Sequence, residues 1–468
     1  MYKSDRLEPL SLTDHVFLLL ETKKNPMHIA VLCFFELPKN CDPKTFYQKF
    51  RTAHEVDLPP VAPFNKKLHK KLFWKKVDRI DRSRHYFTTR LADGSKKTLL
   101  TYISKQHACP LDKDHPLWQL HFIEGLDPKD ENSPEQLAIY LKMHHSLIDG
   151  VGGMRLLERL LFATPDELLD KPLWTKVTTK PKHLHSDKHT KHSQARKSTT
   201  LKTLTAVSFA LKKRFTERHF EGFTSSFDAP KSPLNQRIDS SRAFYIHALK
   251  KERFIKLAHA FSTPDRPITT NDVLLTVMAG ALRQYLSHKN TLPKKPLIGF
   301  VPVSLRQDDS MAGNQLSFLL INLATHEPNP KRRLDIIHQS SQDGKSRFNA
   351  MHHAQEIIAY SLAIYGAAGL NLATGLLPKK QAFNLIISNT PGSKDIRYLN
   401  GATLTGVYPA SVLLDGQALN LTLANHQNTF DIGILACENT LPNIETLGEF
   451  MTQALEELEQ LALSHQHP

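Results

Sequence analysis

The run His144-His145-Ser146-Leu147-Ile148-Asp149-Gly150 places two imidazoles, a carboxylate and a glycine within one short stretch of a 468-residue chain. A neutral imidazole, with an unperturbed pKa of about 6.5, can take a proton from a hydroxyl as that oxygen attacks a carbonyl. Side chains of adjacent residues on a strand point to opposite faces, so only one of the two histidines can serve a given channel. His145 is expected to be the base and His144 its support. Asp149 stands where a helix N-cap belongs, and Gly150, Gly152 and Gly153 permit backbone angles and close approaches that a side chain would block. No Gly-x-Ser-x-Gly elbow accompanies the motif, so direct transfer is favoured over a covalent serine intermediate.

The motif needs a strand before it and a helix after it. Leu137, Ile139, Leu141 and Met143 alternate with Ala138, Tyr140 and Lys142, which predicts a strand buried on one face, with His145 continuing the apolar side. Val151, Met154, Leu157, Leu160 and Leu161 recur at helical spacing opposite Arg155, Glu158 and Arg159. Other helices are predicted over 11–21 and 272–286. Strands are predicted over 29–35, 244–248, 297–303, 383–387, 419–424 and 430–436, the last two joined as a hairpin. No fixed-period repeat is present.

The length suits two or three domains, and the hydrophobic share of 40% supports a sizeable core. The N-terminus opens on no apolar run of signal-peptide type, and the four cysteines lack zinc or redox spacing, so a reducing cytoplasm is expected. The uncharged stretch 357–377 holds three glycines and several polar residues, which favours a buried helix over a membrane span.

The net charge of +15 is concentrated between Lys171 and Arg218, where thirteen Lys and Arg face two acids. Residues 180–200 are rich in Lys, His, Ser and Thr and mark a solvated linker. Its histidines, His183, His185, His189 and His192, have no ordered scaffold and are not expected to hold a metal. Beyond them Leu201, Leu204, Val207, Leu211 and Phe215 outline a basic amphipathic helix. Such a helix suits an anionic membrane surface or a linker helix packed on the protein, and the pattern leaves both readings open. The organisation read from these features is an α/β domain over 1–178, a basic linker over 179–228 and a second α/β domain over 229–468.

The chain resembles the bacterial wax ester synthase/diacylglycerol acyltransferases, related more distantly to chloramphenicol acetyltransferase and to peptide-synthetase condensation domains. The resemblance covers nearly its whole length. It rests on Pro9-Leu10-Ser11-Leu12-Thr13-Asp14, Pro26-Met27-His28-Ile29, Pro116-Leu117-Trp118 and the His-His motif, followed by Ala229-Pro230-Lys231-Ser232-Pro233-Leu234-Asn235 and Thr270-Asn271-Asp272-Val273. Pro302-Val303-Ser304-Leu305-Arg306, Gly313-Asn314-Gln315, Ile387-Ser388-Asn389-Thr390-Pro391-Gly392 and Asp415-Gly416-Gln417-Ala418-Leu419-Asn420 complete the series. Thr390 and Ser393 stand where the family more often has Val and Pro around its Pro-Gly pair.

The resemblance implies two chloramphenicol acetyltransferase-like domains, each a mixed sheet with flanking helices, around a central channel. It implies an O-acyltransferase that moves a long-chain acyl group from acyl-CoA, a substrate and not a cofactor, to a diacylglycerol or a fatty alcohol, with no metal. His145 is then the base, and Asp149 holds the loop in shape. Arg306 looks like the ionic partner of Asp149, with a surface arginine as the alternative. Asn271 and Asp272 match a motif of the family and also fall where an N-cap would. Ser388 and Asn389 suit donors to an oxyanion or a bound substrate, or else the turn after a buried strand. Trp118 is expected to line the cavity or, more simply, to pack in the core. A peripheral contact with an anionic inner membrane or lipid inclusion is expected, and no nucleic-acid partner. The rivals are a condensation-type enzyme with an amine or carrier-bound acceptor, and a membrane-binding protein with a degenerate catalytic domain.

Overall fold

The computed structural model describes residues 7–39, 41–131, 133–176, 229–304, 316–349 and 383–466. Arg306, the basic linker with its amphipathic segment, and the 357–377 stretch lie outside the described residues. In the first half the elements are β1 (Glu8–Pro9), α1 (Leu12–Leu20), β2 (His28–Glu36), α2 (Pro43–Glu55), β3 (Lys66–His69), β4 (Phe73–Lys76), α3 (Arg82–His85), β5 (Tyr86–Arg90), α4 (Lys96–Ala108), β6 (Trp118–Leu126), β7 (Gln136–His144) and α5 (Gly150–Leu160). The second half holds β8 (Ala243–Lys250), α6 (Lys251–Phe261), α7 (Thr270–His288), β9 (Ile298–Ser304), β10 (Leu316–Asn322), α8 (Pro330–Asn349), β11 (Leu385–Thr390), β12 (Tyr398–Leu399), β13 (Ala402–Ala410), β14 (Leu419–His426), β15 (Thr429–Ala436) and α9 (Thr446–Gln466).

Helix starts follow the chemistry of their first turns. Ser11 and Asp14 form a reciprocal capping box on α1, Thr269 and Asp272 do the same on α7, and Asp149 caps α5 through the Gly152 amide. The predicted strands form, most of them a residue or more longer than the pattern suggested. Asn425 and His426, expected in the hairpin loop, belong to β14, leaving a turn of two residues before β15.

Two six-stranded mixed sheets organise the chain, in the orders β12-β13-β2-β7-β6-β5 and β10-β9-β11-β14-β15-β8, beside a small sheet β1-β4-β3. The expectation of one sheet per half needs correcting. β12 and β13 come from the second half yet join the first sheet, where β13 runs antiparallel to β2 along its length. There the sheets meet tightly: a Cβ on Gly433 of β15 would lie 1.8 Å from the Pro409 carbonyl of β13, and the Val407 amide donates to the buried Asp431 carboxylate at 2.8 Å. Only glycine admits that approach.

The core also departs from the one-sided strand expected for β7. Its odd residues pack with α2 and α5 residues such as Phe46, Phe50, Met154 and Leu157. Its even residues, Ala138, Tyr140, Lys142 and His144, are buried as well. Lys142 is accommodated because its ammonium donates to the Gln106 and Cys109 carbonyls at the end of α4, at 2.8 and 3.0 Å. Burial pushes its pKa down to about 8. Beneath the second sheet, by contrast, α7 is buried almost residue for residue from Asp272 to Leu282 and packs on α9. No helix among the described residues is long and apolar enough to cross a membrane.

Candidate active site

The strand β7 ends at His144, and the chain turns through His145–Asp149 into α5. The His145 amide donates to the Met27 carbonyl at 2.8 Å, which ties the turn to the start of β2. His144 is wholly buried: its Nδ1 lies 2.6 Å from the Ser146 hydroxyl and its Nε2 lies 3.5 Å from Glu21 Oε1. Glu21 also meets the Lys113 ammonium at 2.5 Å. Burial would raise the Glu21 carboxyl, but His144 and Lys113 outweigh it and hold the pKa at about 2. His144 thus sits against a fixed carboxylate, while His145 faces elsewhere.

His145 is half-buried, and its ring stacks on Phe17 of α1 with centroids 4.0 Å apart. Loss of solvation pushes its pKa down to about 4, only partly offset by its own backbone and by the Asp149 carboxylate. The imidazole is therefore neutral at pH 7, the state a proton acceptor needs. Asp149 Oδ1 accepts from the Gly152 amide at 2.6 Å, so its N-cap role is a matter of geometry. The close approach in this loop falls at Gly152, where an added Cβ would meet that same oxygen at 3.0 Å. Gly150, expected to clear space, would make only ordinary contact, 3.6 Å from the Thr390 methyl.

That contact brings the end of β11 against the start of α5. Ser388 and Asn389 lie on β11 beside β14, and Asn389 Oδ1 accepts from Asn425 Nδ2 at 2.7 Å. Asn389, Asn425, Thr270 and Asn271 line a cavity of about 330 Å³ together with Lys251, Ile255, Leu274 and Phe430. The Pro391-Gly392 turn is pressed on β14, where a Gly392 Cβ would lie 2.2 Å from the Asn425 carbonyl.

One of the sequence expectations needs correction, and another, the place of Trp118 among the substrate-binding residues, gives way to its packing alternative. Asp272 does not reach the cavity: it is fully buried, its Oδ2 receives the Thr269 amide and hydroxyl, and His338 Nδ1 lies 2.9 Å away. The N-cap is Thr269, so neither Asn271 nor Asp272 fills that position. Trp118 is a core residue: its indole donates to the Phe64 carbonyl at 2.8 Å and stacks on His85. Phe17 and Glu21 escaped the sequence reading. No spacing signal links α1 to the motif, because their contact spans more than a hundred residues.

Residues 10–274 match the family model described as the wax ester synthase/diacylglycerol acyltransferase catalytic domain, and residues 312–459 match the C-terminal domain of the same family. The chain is 40% identical over 447 residues to the O-acyltransferase WSD of Acinetobacter baylyi, covering 94% of each. It is 32% identical over 464 residues to a Mycobacterium tuberculosis protein named a diacylglycerol O-acyltransferase, covering 96% of this chain and 99% of that one. The structure is similar to that of the wax ester synthase/diacylglycerol acyltransferase from Marinobacter aquaeolei VT8, with a TM-score of 0.77, 32% identity and coverage of 97% and 99%. The first condensation domain of the calcium-dependent antibiotic synthetase shares the fold at a TM-score of 0.58 and 13% identity, covering 98% of this chain and 97% of that one. Matched along nearly all its length, with the His-His loop between strand and helix inside the catalytic segment, this chain belongs to the wax ester synthase/diacylglycerol acyltransferase family.

Proposed function

We propose that this protein transfers a long-chain acyl group from acyl-CoA to the hydroxyl of a diacylglycerol or fatty alcohol, with His145 as general base. The observation that carries the reading is a neutral, half-buried imidazole at the β7–α5 turn, stacked on Phe17 and beside the carboxylate that caps α5. Its Nδ1 is buried, which leaves Nε2 for the substrate. Nε2 takes the hydroxyl proton as the oxygen attacks the thioester carbonyl. The tetrahedral intermediate then expels CoA thiolate, which recovers the proton from the imidazolium, giving ester and free CoA. Asp149 steadies the transient imidazolium and holds the loop. Because Asn425 occupies Asn389 Oδ1, the amide hydrogens of Asn389 are available to a ligand in the adjoining cavity. Asn271 lines the same cavity and is assigned to the substrate on those grounds, whereas Ser388, the residue before Asn389 on β11, is not among the residues lining it; acyl length would be read by apolar depth at about 0.8 kcal/mol per buried methylene.

Purified protein supplied with palmitoyl-CoA should release free thiol with hexadecanol or dioleoylglycerol and not with long-chain amines. Transfer to amines alone would favour the condensation-type reading. Thiol release with none of the acceptors would favour a degenerate catalytic domain.

A further inference from the structure

The helix α1 has two unlike sides. Phe17 covers His145, and Leu18 packs on a small cluster formed by Leu10, Leu68, Trp74, Leu111 and Leu117. Val16 and Leu19, three residues apart and so on one face, point outward; Leu19 is 81% exposed and Val16 44%. An apolar side chain so fully in water is unremarkable singly, but these two have neighbours. The β3–β4 hairpin lies against α1: the Leu10 amide donates to the Leu72 carbonyl at 3.0 Å, and the Trp74 indole donates to Asp14 at 3.4 Å. Leu72 at the hairpin tip is 53% exposed, and Leu7 beside β1 is 40% exposed.

The charge around this apolar face is predominantly basic. Six lysines fall between Lys66 and Lys76, with Lys70 and Lys71 exposed at the tip. Lys23 and Lys24 are exposed in the turn just after α1. The local acids are engaged: Glu8 by Lys66 and Lys76, Asp14 in the α1 capping box, Glu21 in the buried contact with Lys113. Protruding leucines rimmed by lysines match a lipid surface with anionic headgroups, where apolar side chains enter the acyl boundary and ammonium groups meet phosphates.

We propose that the outward face of α1 and the adjoining lysine-rich hairpin dock this protein on an anionic lipid surface, placing the Phe17-covered side of His145 next to the layer that holds a lipid acceptor. The position of His145 as base is taken from the proposed function; the docking itself is not.

The test is sedimentation of the full chain with vesicles of phosphatidylcholine and phosphatidylglycerol at 7:3, without acyl-CoA. The wild type should bind these vesicles, bind pure phosphatidylcholine far less, and release in high salt. Leu19→Asp and the double variant Lys70→Glu/Lys71→Glu should each weaken binding about tenfold or more. Leu463→Asp, which alters an exposed leucine on α9, should bind as the wild type does, and unchanged unfolding midpoints would show that all the variants fold. In turnover, Leu19→Asp should lose about tenfold on dioleoylglycerol presented in those vesicles and nothing on a water-soluble short-chain alcohol. Wild-type vesicle binding by both α1 and hairpin variants overturns the proposal. So does a lipid-free dimer that Leu19→Asp dissociates, because the face would then meet a second copy. Vesicle binding through this face without any acyl transfer would sustain the docking and overturn the enzymatic reading.

Discussion

The two large sheets share size and mixed topology but differ in what lies beneath them. Under the first sheet, between β7 and α4, sits a row of polar groups. His28 Nε2 donates to the His107 carbonyl at 2.8 Å, and His107 accepts from the Tyr140 hydroxyl at 2.7 Å while donating to the Ser411 carbonyl at 3.1 Å. His121 meets the Tyr102 hydroxyl at 2.8 Å. Burial and the nearby Lys142 push His107 and His121 down to about 3, and burial pushes His28 well below the usual imidazole range. Under the second sheet α7 presents Val273, Leu274, Val277, Met278, Ala281 and Leu282 to an aliphatic core. The difference teaches a division of labour. One sheet holds neutral imidazoles up to the edge where His145 emerges; the other supplies close-packed apolar burial and the amide-lined cavity.

The sharpest way to break this division is His145→Ala. It should lower kcat/KM for ester formation by about 10³-fold, with the urea midpoint close to that of the wild type; retention of most activity would remove the base from His145. The mirror experiment is Leu282→Ala, which empties a fully buried site on α7. It should cost about 2–5 kcal/mol in urea unfolding while the folded fraction keeps its kcat. A collapse of kcat at unchanged stability would mean that the second sheet is not merely a scaffold.

Asp149→Ala acts on both sides of the comparison. Losing the N-cap of α5 should cost about 1 kcal/mol, and a looser loop should slow transfer roughly tenfold. An inactive variant of unchanged stability would instead assign Asp149 a direct chemical part. The smallest expected effect is in the pH response of activity. With the His145 pKa near 4, kcat/KM at pH 5.5 should stay within about twofold of its value at pH 7, whereas an ordinary imidazole would lose about tenfold. Stability, unlike activity, should fall over the same interval. The buried histidines have folded-state pKa values below the unfolded value, so the unfolded chain binds more protons as pH falls past about 6.5, and the urea midpoint should drop between pH 7 and 5.5. A constant midpoint across that interval would show that the polar row titrates freely.

Much of this was legible along the chain because the signals are local. The alternation 137–143, the run 151–161 and the capping residues Ser11 and Asp149 depend on neighbours a few residues away, and each element formed near its predicted bounds. The motif itself read as a strand-to-helix turn, and it is one. What failed was non-local. Tyr140 and Lys142 looked like a solvent face because their hydroxyl and ammonium partners lie on α4, more than thirty residues earlier in the chain. Asp272 looked available to a ligand until His338, sixty-six residues on, claimed it. β13 was missed as a strand of the first sheet because its partner β2 is more than 360 residues away.

Residue types and spacing by themselves determined that an imidazole would stand at a chain reversal, because strand and helix periods are set by backbone geometry within a few residues. Tertiary structure alone decided that this imidazole would be the half-buried one, covered by Phe17 and kept neutral. Desolvation depends on which distant segments pack around a group, and no pattern confined to its neighbours encodes that.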